Sequence, residues 1–267
     1  MEIIQSRDNA NIKEYIKICT DKKKRHTEGV FAVEGTKTVL EAVSCGITVL
    51  SAFVLQSLYE NDPDCFSALK LKSSEFYLVS DSVCGKMAQT KTPQGVFCVC
   101  QMKTPDQTDI SGRWIALEGL QDPGNLGTVI RTADAFGMDG VLLSQDCADP
   151  YSHKVIRAAM GSLFRIRCVQ VPDLSEFIKN KTKNGFSTFA AVPSEDADDV
   201  RQVKFTKDMI IVVGNEGSGL SKEIVESCSD RITVPMSGGA ESLNAAVAAA
   251  VMIWESVRSL ERGVKHE

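Results

Sequence analysis

Residues Met209 to Leu220 read MIIVVGNEGSGL, an apolar run with the β-branched composition of a buried strand, ended at once by a turn carrying Gly214, Gly217 and Gly219. Two other places in the C-terminal half repeat this arrangement. The run Trp114 to Leu117 leads to Asp122-Pro123-Gly124-Asn125-Leu126-Gly127, with Arg131 behind it. The run Arg231 to Val234 leads to Pro235-Met236-Ser237-Gly238-Gly239 and on to Glu241-Ser242-Leu243-Asn244. All three turns are therefore expected at the carboxyl ends of strands in an α/β sheet, where open α/β folds bind their ligands.

The alternation of strand and helix extends both ways from these turns. In the C-terminal part, strands are predicted at Trp114–Leu117, Gly140–Leu143, Ile166–Val171, Ser187–Val192, Met209–Val213 and Ile232–Val234. Helices are predicted after Asn125, Ser152, Asp173 and Ser221, with a last one from near Ser242 to about Glu261. Ser242 is well placed to cap that last helix. The first hundred residues show the same alternation, with strands at Val30–Val33, Val49–Leu55, Phe76–Val79 and Gly95–Cys100 and helices near 36–44 and 65–70. Between the two parts, Gln101 to Gly112 loses the pattern. The expected organisation is a domain at 1–103, a linker at 104–112 and a domain at 113–267.

With 267 residues, 43% hydrophobic and 24% charged, the chain has the composition of a soluble globular protein. Its longest apolar-looking run, Leu243 to Trp254, is interrupted by Asn244 and falls short of the roughly 20 residues that span a bilayer. No signal segment opens the chain, so a cytoplasmic protein with no membrane partner is expected. Nine scattered cysteines without a Cys-x-x-Cys pair and only three histidines predict no metal site, and leave little material for a histidine-based triad. Cys98 and Cys100, two apart on a strand, are expected to share a buried face. The net charge of -5 excludes a protein that coats nucleic acid indiscriminately. Lys22 to Arg25 form a locally basic stretch, more often a solvated helix end than a phosphate site.

The glycine turn at 214–219 fails the standard tests for phosphate cradles. A dinucleotide fingerprint runs Gly-x-Gly-x-x-Gly with an acidic residue about 20 positions on. Here the order is Gly-x-x-Gly-x-Gly and position 234 is valine. A Walker-A loop needs lysine directly after its last glycine, but Leu220 and Ser221 precede Lys222. What remains is a ligand held largely by main-chain groups, to which glycines permit close approach.

These residues resemble the SpoU family of RNA 2'-O-ribose methyltransferases, within the SPOUT superfamily. The likeness covers roughly 113–262 and rests on three motifs in order: Asn125-Leu126-Gly127 with Arg131-Thr132-Ala133; Gly214-Asn215-Glu216-Gly217; and Pro235-Met236 through Ser242-Leu243-Asn244. The N-terminal part, with Phe31-Ala32-Val33-Glu34-Gly35 and Thr92-Pro93-Gln94-Gly95-Val96, is similar more loosely to the family's substrate-binding domain, itself similar to small ribosomal RNA-binding proteins. The resemblance implies an α/β fold with a trefoil knot in its C-terminal SPOUT domain, S-adenosylmethionine as methyl donor, and a homodimer formed through that domain, its pockets borrowing from both subunits. It implies that Gly214, Val234, Met236, Ser242 and Leu243 hold the cofactor.

The same resemblance points to Arg131, Asn125, Glu216 and Asn244 as catalytic. A guanidinium keeps its proton in proteins, so the conservative role for Arg131 is to orient the ribose hydroxyl or stabilise the developing alkoxide. Asn125 would position Arg131 or the ribose, Glu216 would brace the loops, and Asn244 would bond substrate or cofactor carboxylate. For Asn125 and Asn244 the plain structural alternative is helix capping. Lys154, Arg157 and Arg165, between the motifs, suit RNA phosphates or a solvated helix face equally. Structured RNA is the implied substrate, ribosomal favoured over transfer RNA. A non-catalytic RNA-binding factor and a small-molecule or nucleotide-binding enzyme are the competing classes, and a resistance role through rRNA methylation is compatible with the same fold.

Overall fold

The computed structural model describes residues 3–103 and 110–264, with the helical backbone alone for 261–264. These residues form two compact units. The first runs up to residue 103 and also takes in Asp149–Phe164; the second comprises 110–148 and 165–264. Most of the expected linker, 104–109, lies outside the described residues.

The first unit opens with β1 (Ile3–Ile4), α1 (Ala10–Thr20), α2 (Lys22–Glu28), β2 (Val30–Glu34), α3 (Thr36–Ser44), β3 (Val49–Leu55) and α4 (Gln56–Asn61). It continues with α5 (Ser67–Lys72), β4 (Ser73–Val79), α6 (Asp81–Met87) and β5 (Val96–Gln101). The strands pair in the order β1-β4-β3-β5-β2, antiparallel where β5 meets β2 and β3 and parallel elsewhere. In α1, Ile12, Tyr15 and Ile18 recur every three residues, which places them on one helix face, and that face is buried. Tyr15 packs edge-on to Phe53 and Phe97, with centroids 6.0 and 5.6 Å away. Cys98 and Cys100 are wholly buried on β5 as expected, and burial pushes the Cys100 thiol up to about 12.

In the basic stretch at 22–25, Lys22 and Lys23 are exposed as expected of a solvated helix end, whereas the other two cations are engaged. Lys24 reaches Glu14 at 2.6 Å and Glu28 at 2.5 Å, and Arg25 is buried. A lone buried guanidinium is very costly, and Arg25 escapes that cost by donating to Asp149 and to the carbonyls of Ile18 and Cys19. Its partner lies 124 positions away in sequence.

The second unit contains β6 (Arg113–Leu117), α7 (Pro123–Ala135), β7 (Gly140–Leu143), α8 (His153–Ala159, in the segment that joins the first unit), β8 (Arg167–Gln170), α9 (Leu174–Lys183) and β9 (Ser187–Ala191). Then come β10 (Asp198–Asp199), β11 (Met209–Val213), α10 (Lys222–Ser227), β12 (Asp230–Thr233) and α11 (Ala245–Val264). The sheet is parallel throughout, in the order β10-β12-β9-β11-β6-β7-β8. β11 is buried along its whole length, as a Val/Ile run flanked by strands on both sides should be. It enters between β6 and β9, with Val213 opposite Leu117, so the turns after β6 and β11 start at the same level.

Asp149–Phe164 follows β7 in sequence but packs within the first unit. Asp149 accepts from Arg25 Nε at 2.9 Å and Nη2 at 2.6 Å, both side chains being 5% exposed. Tyr151 and Phe164 place their rings against Phe31, at 5.0 and 6.2 Å.

Candidate active site

The loop after β11 is shaped by its own main chain. Asn215 and Gly219 exchange backbone hydrogen bonds of 3.1 and 3.0 Å, closing a narrow lobe. Asn215 Oδ1 accepts from the Gly217 and Ser218 amides, and its Nδ2 donates to the Gly119 carbonyl at 2.7 Å. Gly214 faces the opposite side of the lobe so closely that a Cβ would lie 2.3 Å from the Gly219 carbonyl carbon. Where the lobe ends, Ser221 caps α10 and is gripped by Glu118, which accepts from its amide at 2.8 Å and its hydroxyl at 2.6 Å. Glu118 and Gly119, at the end of β6, therefore pin both feet of the lobe. Sequence reading assigned no role to Glu118, since nothing in its neighbourhood signals a partner 103 positions away.

Behind the lobe lies a pocket of about 380 Å³ lined by residues from four strand or helix ends. The β11 loop contributes 213–220; the end of β12 contributes Thr233, Val234 and Met236; the approach to α11 contributes Ser242 and Leu243; α11 itself contributes Ala245, Ala248 and Met252. All five residues expected to hold a cofactor are among them. The fourth wall, Ala191-Val192-Pro193 at the end of β9, was not foreseen. Its only sequence signal is a proline after a strand, without the glycine or asparagine that marks the other turns.

At the pocket rim, three of the four expected catalytic residues form a chain. Asn244 Nδ2 donates to Asn125 Oδ1 at 3.2 Å, and Asn125 Nδ2 donates to Glu216 Oε1 at 2.6 Å. The bonds fix both amide orientations, because each carboxamide must present its oxygen to one neighbour and its nitrogen to the next. Helix capping divides unevenly here. Asp122 caps α7, accepting from the Asn125 amide at 2.8 Å, which leaves the Asn125 side chain free for Glu216. Asn244 caps α11 through Oδ1, accepting from Ala246 and Val247, and uses Nδ2 for Asn125. Ser242 is thus not the cap; α11 begins at Ala245, three residues later than expected near Ser242.

The fourth residue, Arg131, is not brought to the pocket wall of its own chain. It stands on α7 six residues past Asn125, about 9 Å along the axis at 1.5 Å per residue. It is exposed, and its side chain bonds to no other described residue. Arg165, by contrast, is engaged, its Nε and Nη2 donating to Asp134 at 3.0 and 2.7 Å. Among the described residues no group of His, Cys, Asp and Glu is placed to hold a metal, and no helix is long and apolar enough to cross a membrane.

Comparison with known proteins agrees with this geometry. The model of the SpoU rRNA Methylase family matches residues 112–254, and that of the MRM3-like substrate binding domain matches 9–98. The chain is 32% identical over 255 residues to the Bacillus subtilis 23S rRNA (guanosine(2553)-2'-O)-methyltransferase RlmP, covering 95% of this chain and 98% of that protein. It is 29% identical to the 23S rRNA (uridine(2479)-2'-O)-methyltransferase of Streptomyces viridochromogenes, covering 94% and 90%. Among solved structures, the AdoMet-bound rRNA methyltransferase of Sinorhizobium meliloti superposes with a TM-score of 0.87 at 28% identity, covering 97% of this chain and 98% of that one. The AdoMet complex of the SpoU methyltransferase AviRb from Streptomyces viridochromogenes gives 0.81 at 26%, covering 95% and 98%.

Proposed function

The chain belongs to the SpoU rRNA methylase family, and we propose from that premise that it transfers the methyl group of S-adenosylmethionine to a ribose 2'-hydroxyl of ribosomal RNA in the cytoplasm. The observation that carries this reading is the pocket behind the β11 lobe. The main-chain groups of 214–220 that the lobe does not spend on its own hydrogen bonds are offered to a purine edge, which presents both donors and acceptors. Val234, Leu243 and the Ala-rich start of α11 supply apolar walls, and Gly214 lets the two sides of the lobe close to a distance that any side chain would prevent. Gly214, Val234, Met236, Ser242 and Leu243 are the residues assigned to hold the cofactor.

Bound there, the cofactor supplies an electrophilic methyl group on a sulfonium. The chain's own task is alignment of the ribose oxygen, which can be worth effective molarities of about 10⁵ to 10⁸ M. Arg131 is assigned to orient that hydroxyl and stabilise charge as it develops on oxygen. Asn125, Asn244 and Glu216 are assigned to hold the rim rigid beside it. Because Arg131 is exposed and absent from its own chain's pocket wall, we assign it to the pocket of a second copy in a homodimer. Val247 and Trp254 on α11, both about half exposed and seven residues apart on one stripe, with Trp254 packed on Phe136 of α7, are the apolar surface offered to that copy. A trefoil knot built from the lobe after β11 and the segment leading into α11 is part of the same proposal, supported by the late strand β11 lying between β6 and β9. The first unit is assigned to bind RNA.

The test is transfer of a labelled methyl group from S-adenosylmethionine to RNA of a strain lacking this protein, with the product mapped. A 2'-O-methylated nucleotide in ribosomal RNA supports the reading; label in transfer RNA alone changes the substrate; RNA binding without transfer makes the protein an assembly factor.

A further inference from the structure

A second convergence of distant segments lies wholly within the first unit, where the pocket residues play no part. Its hub is Glu34, at the end of β2. His153 Nε2 lies 3.2 Å from Glu34 Oε2, the Thr90 hydroxyl donates to Oε1 at 2.6 Å, and the Gln89 amide donates to Oε2 at 2.9 Å. Nearby, Gln94 Oε1 accepts from the Thr36 amide at 2.9 Å. These bonds tie the start of α3, the loop 89–95 and the start of α8 together. The Glu34 side chain is 3% exposed, so its charge is spent inside the cluster and is not presented to solvent.

What the three segments do present is positive. Lys37 follows Thr36, Lys91 follows Thr90, Lys154 follows His153, and Arg157 lies one turn beyond His153 on the same side of α8. All four are exposed, and none has a side-chain partner among the described residues. Some cations of this acidic chain, such as Lys24, Arg25, Arg201 and Arg258, are paired with carboxylates, and others, such as Lys22, Lys23, Lys179 and Lys183, stand exposed; what sets these four apart is their attachment to segments gathered around one buried carboxylate. The nearest acid on α3, Glu41, is turned to the Gly161 backbone, where an added Cβ would meet its Oε2 at 2.0 Å. Thr92 and Gln94, exposed on the same loop, add neutral donors of the kind that accompany Lys and Arg at phosphates.

We propose that this face, built around Glu34 and carrying Lys37, Lys91, Lys154 and Arg157, seats the phosphodiester backbone of the RNA substrate. The inference rests on the RNA-methyltransferase reading and adds a location to it. It also divides substrate binding between two stretches of sequence, because Lys154 and Arg157 fall inside the region that matches the methylase family and outside the one that matches the substrate-binding domain.

The experiment uses the full chain with transcribed 23S rRNA as probe, in a binding titration at several salt concentrations. Two double reversals are made, Lys37→Glu with Lys91→Glu and Lys154→Glu with Arg157→Glu, together with the glutamine versions of each. A control reverses Lys179 and Lys183, exposed on α9 in the other unit. We expect each test pair to weaken RNA binding at least about tenfold and to lower the slope of log affinity against log salt by about 1.4–1.8, as the loss of two phosphate contacts requires. The glutamine versions should show the same change of slope, while cofactor affinity stays at the wild-type value. Wild-type affinity and slope in both pairs, or an equal loss in the α9 control, overturns the proposal. RNA binding is read without methyl transfer, so failure of the enzymatic reading and failure of this surface give different results.

Discussion

Replacing Gly214 by alanine probes how the pocket is shaped. A Cβ at that position would stand 2.3 Å from the Gly219 carbonyl carbon, 2.4 Å from its oxygen and 2.5 Å from the Leu220 nitrogen. Non-bonded carbon contacts are comfortable at about 3.5–4.0 Å, so the far side of the lobe must retreat by about 1 Å or more. It is backbone and has no rotamer to change. Retreat strains or breaks the two Asn215–Gly219 hydrogen bonds, which at about 0.5–1.5 kcal/mol each amounts to about 1–3 kcal/mol. The feet of the lobe remain pinned by Glu118 and by Asn215 on Gly119, so the lobe should widen while the strands beneath it stay in place. At 1.4 kcal/mol per decade, S-adenosylmethionine affinity should fall about tenfold to a hundredfold by calorimetry, with the bulk of the second unit still folded by circular dichroism. A variant that binds the cofactor as tightly as the wild type would refute the claim that close apposition at Gly214 forms the cradle.

Three further outcomes are expected. Arg131→Ala, expected to be inactive, and Gly214→Ala, assayed at a cofactor concentration too low to fill its weakened pocket, should recover methyl transfer when co-expressed, since one protomer then supplies the arginine and the other the pocket; no recovery means that each pocket uses its own Arg131. Asp149→Ala should destabilise the first unit by about 3–5 kcal/mol in urea titrations, because it strands the buried Arg25 charge; a loss below about 1 kcal/mol would show that solvent reaches that guanidinium. Burial works to raise the Glu34 carboxyl, but hydrogen bonds from His153, Thr90 and the Gln89 amide prevail and hold it below the usual carboxylate range. A depressed folded-state value stabilises above the ordinary range near about 4.3 and is lost as pH falls through the folded value. Melting temperatures measured from pH 7 to pH 3 should therefore drop at the acid end in the wild type and flatten there in Glu34→Gln; parallel curves would remove Glu34 from that role.

Much of the fold was legible because local composition and local structure agree. The strands at Val49–Leu55, Gly140–Leu143 and Met209–Val213 and the helix at 36–44 have the expected limits, each being an apolar run or face bounded by turn residues. The helix α1 escaped notice because charged residues interleave its buried Ile12, Tyr15 and Ile18. The start of α11 was misplaced because Ser242 and Asn244 are both good capping residues, and only the three-dimensional course of the loop selects between them. The missed pairings share another cause: Arg25 with Asp149, Glu118 with Ser221, and Glu34 with His153 all join residues more than a hundred positions apart, which no local pattern encodes.

The position of β11 has a consequence for how the molecule comes into being. On the ribosome, β6 emerges well before Met209–Val213 and β9 shortly before it, and each then carries an open row of amides and carbonyls where a neighbour is still to arrive. Closing that gap requires a late insertion between strands already made, a non-local step of the kind that slows folding. Until that strand is in place the turn at 214–219 has no floor to spring from, so the pocket can form only after Met209–Val213 has left the ribosome and joined its two neighbours.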